Sequence, residues 1–361
     1  MPSYPELDRA FEELAQQSDL YRPTSFWEEA SLRIASEIRT RGIEPFRSLP
    51  TALSFFVPTY GFPGNSFTPA LMDAVRGLIE TSFVDAKKPK LALSEFIDGQ
   101  ANAFADYRVL CASDSRAQLP FLHRFSESTL GEPVEQYEFE GRRFSRSALN
   151  YLLGLAFLKR HLNGDVPRTV LEIGGGFASL GEVLSASGID GIRYIDVDIP
   201  PTSFAASYYL SGALGSDKVR SPETIAADAS IEIDRLPPAT VLHSWQIERL
   251  RGTIDLFVNF ISFQEMEPAV VKNYLAHVHR LSPRWILLRN MREGKQVRSK
   301  ANAFGVETPI VSEDYIDMLA GYRLVDRNVV PFGYRTVDGF HSELLLFQHG
   351  ERMTAKVSDV Q

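Results

Sequence analysis

The chain of 361 residues carries 38 Lys and Arg against 46 Asp and Glu, a formal charge of −8, so a general nucleic-acid surface, which shows a basic excess, is not expected. Cys111 is the only cysteine, which excludes an intrachain disulfide and suggests no cysteine-bound metal; no other ligand spacing points to a metal either. No run approaches the roughly 18 apolar residues of a membrane helix, and Glu6, Asp8, Glu12 and Glu13 without an apolar core argue against a signal peptide, so a soluble cytoplasmic protein with no membrane partner is expected.

Residues 4–45 read as helices, because Leu7, Phe11 and Leu14 recur at helical spacing and Trp27, Leu32, Ile34 and Ile38 follow Pro23. Residues 53–67 are aromatic and punctuated by Pro58, Gly61, Pro63 and Gly64, the pattern of a packed loop or of a lid over a site. Helix is predicted again over 69–112, a hairpin over 134–145 around Glu140 and Gly141, and a strong helix over 145–162 that stops at Asn163 and Gly164. This divides the chain into a mainly helical N-terminal cap domain over 1–165, a second domain over 166–349 and a disordered tail over 350–361.

From residue 168 strands alternate with helices, which predicts an α/β, Rossmann-like, doubly wound sheet. The strands are 169–173, 193–197, 239–243, 254–260, 284–289, 322–329 and 341–348, seven in all, with 216–238 as an irregular insertion. In such a sheet the ligand lies beyond the carboxyl ends of the strands, so the residues after each strand are the site candidates.

The most informative stretch is 169–184, where an apolar strand runs into Gly174, Gly175 and Gly176 and then into a helix for which Ser179 is the candidate N-cap. The glycines let a ligand approach main-chain N–H groups, and Glu172 stands beside them. The stretch lacks the P-loop pattern, so no triphosphate grip is indicated, and Ser179 takes the place of the last glycine of the dinucleotide fingerprint. Asp198, after the second strand, is placed to accept hydrogen bonds from ribose hydroxyls.

The pattern Glu172-x-Gly174-x-Gly176-x-Ala178 resembles motif I of class I S-adenosylmethionine (SAM) methyltransferases, with Ala178 where a third glycine is usual. Three pieces narrow the resemblance: the glycine loop, Asp198-Ile199-Pro200-Pro201-Thr202 followed by Tyr208 and Tyr209, and Ser262-Phe263-Gln264-Glu265-Met266. Together they resemble a sugar O-methyltransferase family of bacterial natural-product and polysaccharide gene clusters over about residues 150–348. The family usually has Asn-Thr-His where this chain has Asn259-Phe260-Ile261, so a polar pair is lost. The resemblance implies SAM as the cofactor and a late antiparallel hairpin closing the sheet.

On this reading Glu172, Gly174, Gly175, Gly176, Asp198, Ile199, Ser244, Trp245, Asn259 and Tyr209 are expected to hold SAM, with Trp245 stacked on adenine. Tyr60, Tyr208, Ser262, Gln264 and Asn290 are expected to meet a small-molecule acceptor, and His341, Glu265 and His243 are the candidate bases. Each has a plain structural alternative, as a core, capping or surface residue. The function expected is methyl transfer to oxygen on a small polar metabolite, sugar-like or from a natural-product pathway. Three other readings remain: a SAM-consuming cyclase that forms azetidine-2-carboxylate and methylthioadenosine, a non-catalytic partner protein of the same fold, and a dinucleotide oxidoreductase. The helical N-terminal part could be a cap, a homodimer surface or both.

Overall fold

The computed structural model of the protein describes residues 3–24, 26–61, 69–83, 85–299 and 305–350. The N-terminal part is helical: α1 (Pro5–Leu14), α2 (Glu28–Arg41), α3 (Pro50–Phe55), α4 (Pro69–Ser82), α5 (Lys87–Ile97) and α6 (Gln100–Ser113). Pro50 at the start of α3 explains its first turn, since proline there removes an N–H that would have no partner. Helix α3 takes up the beginning of the aromatic stretch expected to be loop; residues 62–67 of that stretch, and 351–361 of the expected tail, lie outside the described residues.

A small hairpin, β1 (Tyr137–Phe139) and β2 (Arg142–Phe144), turns at Glu140 and Gly141, both at positive φ. Helix α7 (Arg146–Lys159) follows, capped by the Ser145 hydroxyl, which accepts the Ala148 N–H at 3.3 Å. It is apolar nearly all round, and 12 of its residues are buried, so it packs on both sides. One core cluster joins Tyr107, Leu110, Phe125 and Phe144 to Leu152, Phe157, Val170, Leu180 and Val258 through this helix, so the core runs across the boundary expected near residue 165.

Beyond it come β3 (Thr169–Ile173), α8 (Ser179–Ser185), β4 (Arg193–Asp198), α9 (Thr202–Leu214), β5 (Val219–Arg220), α10 (Pro222–Ile225), β6 (Ile231–Glu232), β7 (Ala239–His243) and β8 (Leu250–Arg251). The chain finishes with β9 (Leu256–Phe260), α11 (Pro268–Leu281), β10 (Trp285–Met291), α12 (Ser312–Met318), β11 (Tyr322–Asn328), β12 (Tyr334–Arg335) and β13 (His341–His349). The main sheet has the order β11-β13-β10-β9-β3-β4-β7-β5, with β12 paired to β13. Strands β10, β9, β3, β4, β7 and β5 run parallel, and β13 is antiparallel to β10, β11 and β12. All seven strands expected from residue 168 onward occur in this sheet, and β5 and β12 raise its count to nine.

Strand β3 pairs with β4 on one side and β9 on the other, so the chain order reverses between β3 and β9. A sheet whose order reverses opens a crevice there, because successive connections leave on opposite faces. The glycine loop after β3 and the turn after β9 both border this crevice.

Candidate functional site

At the crevice a cavity of about 270 Å³ is lined by the glycine loop, the ends of β4 and β9, the start of α7, and Arg22, Pro23, Thr24, Phe26 and Trp27 with Phe55 and Phe56. Tight backbone packing forms its floor. A Cβ on Gly174 would lie 2.1 Å from Ser262 Oγ, and one on Gly175 would lie 2.4 Å from Asp196 Oδ1 and 2.8 Å from Glu172 Oε2. Glycine at both positions is therefore a steric requirement. Gly174 and Gly176 also have φ of 73° and 63°. Ala178 sits at φ 61°, ψ 37° and occupies the N-cap position of α8; Ser179, expected to be that cap, is instead the first helical residue, and its hydroxyl has no partner.

Asp198 faces the loop. Its Oδ2 accepts the Gly176 N–H at 2.9 Å, and its Oδ1 accepts the Ile199 N–H and the Thr202 hydroxyl, both at 2.7 Å. Burial raises its pKa to about 6, against the lowering effect of those three donors. Below it lie two more acids with no exposure, Glu172 and Asp196. Burial raises Glu172 to about 7 although the Tyr194 and Tyr151 hydroxyls favour its ionised form; Tyr194 donates at 2.5 Å. Asp196 rises well above the carboxylate range by burial and by the charges of Asp198 and Glu172.

The turn after β9 forms the opposite lip. Asn259 Nδ2 donates to the Ile173 carbonyl at 2.9 Å and to Ser262 Oγ at 2.6 Å, tying the ends of β3 and β9 together. Ile261 holds φ 73°, ψ −32°, a strained conformation for a β-branched residue, while its N–H donates to the Arg289 carbonyl at 2.6 Å. That turn carries Ser262, Gln264 and Glu265 into the cavity lining. Glu265 Oε2 accepts the Trp27 indole N–H at 3.0 Å, its Oε1 pairs with Lys295 Nζ at 3.0 Å, and its carbonyl accepts the Thr24 hydroxyl at 2.9 Å. Tyr151 stacks on Phe260, with centroids 5.0 Å apart and planes 10° apart, and both line the cavity.

Of the expected site residues, Gly174, Gly175, Gly176, Asp198, Ile199, Ser262, Gln264 and Glu265 line this cavity together. Glu172 lies beneath the loop. Asn259 and Asn290 stand behind the lining as braces, Asn290 Oδ1 accepting the Gln264 N–H at 3.2 Å. The remaining placements correct the expectations. His243 is 3% exposed and absent from the lining; its Nδ1 meets Ser203 Oγ at 3.0 Å, and burial lowers its pKa to about 3, so it is a poor base. His341 is also outside the lining, its Nδ1 lying 2.6 Å from Glu293 Oε1 and 2.8 Å from Arg292 Nη2. Ser244 donates to the Tyr21 carbonyl at 2.8 Å, and Trp245 packs on His243, centroids 4.6 Å apart, rather than lining the cavity. Tyr209 donates to Glu182 and lies edge-on to Phe177; Tyr208 packs on Phe46; Tyr60 donates to Asp106 at 2.5 Å. These three do not line the cavity either.

Sequence reasoning missed Arg22, Thr24, Trp27, Arg146, Asn150, Tyr151, Lys295 and Tyr334, all of which line it. Most come from segments far from the strand ends, and only Arg146, opening a capped helix, carried a positional signal.

No protein family model matches the chain, and no curated protein matches it. Solved structures similar to part of it include the magnesium protoporphyrin IX methyltransferase of Synechocystis PCC 6803 with bound SAM, at 14% identity and a TM-score of 0.36, over 57% of this chain and 85% of that one. An O-methyltransferase of Bacillus cereus in complex with S-adenosylhomocysteine is similar at 14% identity and a TM-score of 0.34, over 55% and 80%. A glycopeptide N-methyltransferase with S-adenosylhomocysteine is similar at 12% identity and a TM-score of 0.35, over 54% and 88%.

Proposed function

We propose that the protein is a SAM-dependent methyltransferase that acts at oxygen on a small polar molecule, a sugar-like compound or a natural-product intermediate. The observation that carries this reading is the joining of Gly174–Gly176, after β3, to Asp198, at the end of the neighbouring β4, by the 2.9 Å hydrogen bond from Gly176 N–H to the Asp198 carboxylate, beside the β3–β9 crevice. The residues present suit that cofactor. Gly174 and Gly175 let the loop pack closely on Ser262, Asp196 and Glu172, nothing lies nearer than 3.5 Å to where a Cβ on Gly176 would sit, and an acid at the end of β4 offers lone pairs to a diol. The strand order, with an antiparallel β13 inserted beside β10, fits the sheet that the sequence resemblance implies.

SAM, when bound, supplies a methyl group on a sulfonium that leaves as a neutral thioether. The chain's own residues do the rest. Tyr151 and Phe260, stacked on each other with Arg289 5.1 Å from the Phe260 ring centre, give the cavity an aromatic wall. The N-terminal helical region acts as a cap, with Phe26, Trp27, Phe55 and Phe56 excluding water from the cavity. Glu265 is the one expected base that lines the cavity, held in place by Trp27 and Lys295; it takes the acceptor proton. The test is turnover: protein incubated with SAM and a panel of hydroxylated metabolites should release S-adenosylhomocysteine, and Glu265→Gln should slow this about 100-fold or more. Release of neither S-adenosylhomocysteine nor a methylated product with any acceptor would contradict the proposal.

A second reading has an observation in its favour. Phe260 and Ile261 stand where the resembling family has a polar pair, and much of the lining is aromatic, which suits a cavity in which SAM is itself cyclised. Incubation with SAM alone separates the two, because only the cyclase would release methylthioadenosine faster than the background rate.

A further inference from the structure

Building on the methyltransferase reading, we infer that the cavity wall formed by Arg146 and Tyr334, with Arg289 behind it, is a subsite for a carboxylate on the acceptor. Arg146 opens α7 and lines the cavity; its Nη1 donates to the Thr59 carbonyl at 2.6 Å, and its guanidinium carbon lies 5.2 Å from the Tyr334 ring centre and 5.5 Å from that of Tyr60. Arg289 is 1% exposed, its Nη2 donates to the carbonyls of Phe332 at 2.9 Å and Asn150 at 3.2 Å, and its Nε has no partner. Among the described residues neither guanidinium forms an ion pair: both donate to carbonyl oxygens, Arg146 also hydrogen-bonds Tyr334, and the Arg289 guanidinium lies 5.1 Å from the Phe260 ring centre. Two acids belong to the same cluster and act on it through their charge, Glu135 on Arg146 and Asp106 on Arg289, but both are turned to other donors. Asp106 accepts the Tyr60 hydroxyl at 2.5 Å, and Glu135 accepts the Tyr60 and Gly61 amides, each at 2.8 Å. Neither acid lines the cavity, whereas Arg146 and Tyr334 do.

A guanidinium removed from water is costly unless an anion meets it, and its planar fork matches a carboxylate through two parallel hydrogen bonds. The local potential has the matching sign: burial alone would raise the Tyr334 hydroxyl, but the charges of Arg146 and Arg289, together with hydrogen bonds to Arg146 and Ser342, lower it. The sheet order assigns this wall to the acceptor. Arg289 is on β10 and Tyr334 on β12, which pairs with β13, so both lie beyond β9 from the glycine loop and Asp198, which follow β3 and β4. The acceptor is therefore a hydroxy acid, its carboxylate on Arg146 and its hydroxyl toward the glycine loop.

The test is calorimetric titration of the S-adenosylhomocysteine-saturated protein with 4-hydroxybenzoate, lactate and 3-hydroxybutyrate, each paired with its primary amide. At least one acid should bind about ten-fold or more tightly than its neutral amide. Arg146→Met should abolish that preference and Arg146→Lys should keep part of it, with circular dichroism melts verifying that both variants fold. A parallel arm compares SAM with decarboxylated SAM. A preference for the carboxylate in that arm alone, lost in Arg146→Met, would assign the wall to the donor and overturn the proposal. Equal binding of acids and amides throughout would also overturn it. If the unaltered protein binds neither SAM nor S-adenosylhomocysteine, the methyltransferase reading fails separately. The acid and amide titrations, repeated without S-adenosylhomocysteine, then still decide whether Arg146 selects a carboxylate.

Discussion

At the scale of single residues, the glycine loop makes opposite demands at neighbouring positions. Gly174→Ala puts a methyl 2.1 Å from Ser262 Oγ, so the loop and the turn after β9 must separate. SAM affinity should fall about ten-fold or more while the melting curve shows a folded protein, as titration and circular dichroism would establish. Gly176→Ala meets nothing nearer than 3.5 Å, so only its φ of 63° opposes it, at a cost of about 1–2 kcal/mol. Ala178 already bears such a strain at φ 61°, so Ala178→Gly should leave stability unchanged or raise it by up to about 1 kcal/mol in denaturant titration. Glu172 gives a pH signature. Its folded pKa of about 7 is above that of an unfolded glutamate, so its contribution to stability is full below about pH 4.5 and is lost as pH rises through 7. Glu172→Gln should flatten that decline and leave the ligand-free variant on the order of 2 kcal/mol more stable than the parent at pH 8, relative to their difference at pH 4.5. Ala178 and Ser179 also show what a sequence conceals: a serine beside a helix start suggests a cap, but the one-residue offset that leaves its hydroxyl without a partner depends on backbone angles.

At the scale of elements, the parts read correctly were those with a strong local pattern. β3, β4, β7, β9 and β10 are apolar runs of 5–7 residues, and α7 is an apolar helix with a serine cap. The two-residue strands β5, β6, β8 and β12 were illegible, because two residues carry no periodicity and such pairs form only after the surrounding sheet is in place. The same limit applies to the site. Residues after strands were expected in the cavity because topology dictates it, and the glycine loop, Asp198 and the turn after β9 line it. His243, Ser244 and Trp245 also follow a strand, but the chain enters a 3-10 turn whose side chains pack inward and against Tyr21. The N-terminal helical part contributes Trp27, at the head of α2, to the lining, and no strand-end rule can find it. Its indole donates to Glu265, so Trp27→Phe removes a hydrogen bond to a charged acceptor and should cost about 1.5–3 kcal/mol in denaturant titration. A loss near zero would show that Glu265 does not depend on the N-terminal helical part for its position.

At the scale of the whole molecule, the N-terminal helices and the sheet share a hydrophobic core. Leu7, Ile34, Ile38, Phe46 and Phe56 pack with Phe177, Ala205 and Tyr209, which follow the glycine loop and lie on α9. Buried Arg47 ties the two further, its Nη2 pairing with Glu127 at 2.9 Å and its guanidinium lying 4.9 Å over the Phe177 ring. Helices joined this way should unfold with the sheet in one transition, and two separated calorimetric peaks would contradict that. Titration calorimetry tests the proposed donor site directly. S-adenosylhomocysteine should bind the unaltered protein saturably at one site per chain, and Asp198→Ala should weaken binding about ten-fold or more. No binding to the unaltered protein, or equal affinity in the variant, would contradict the account.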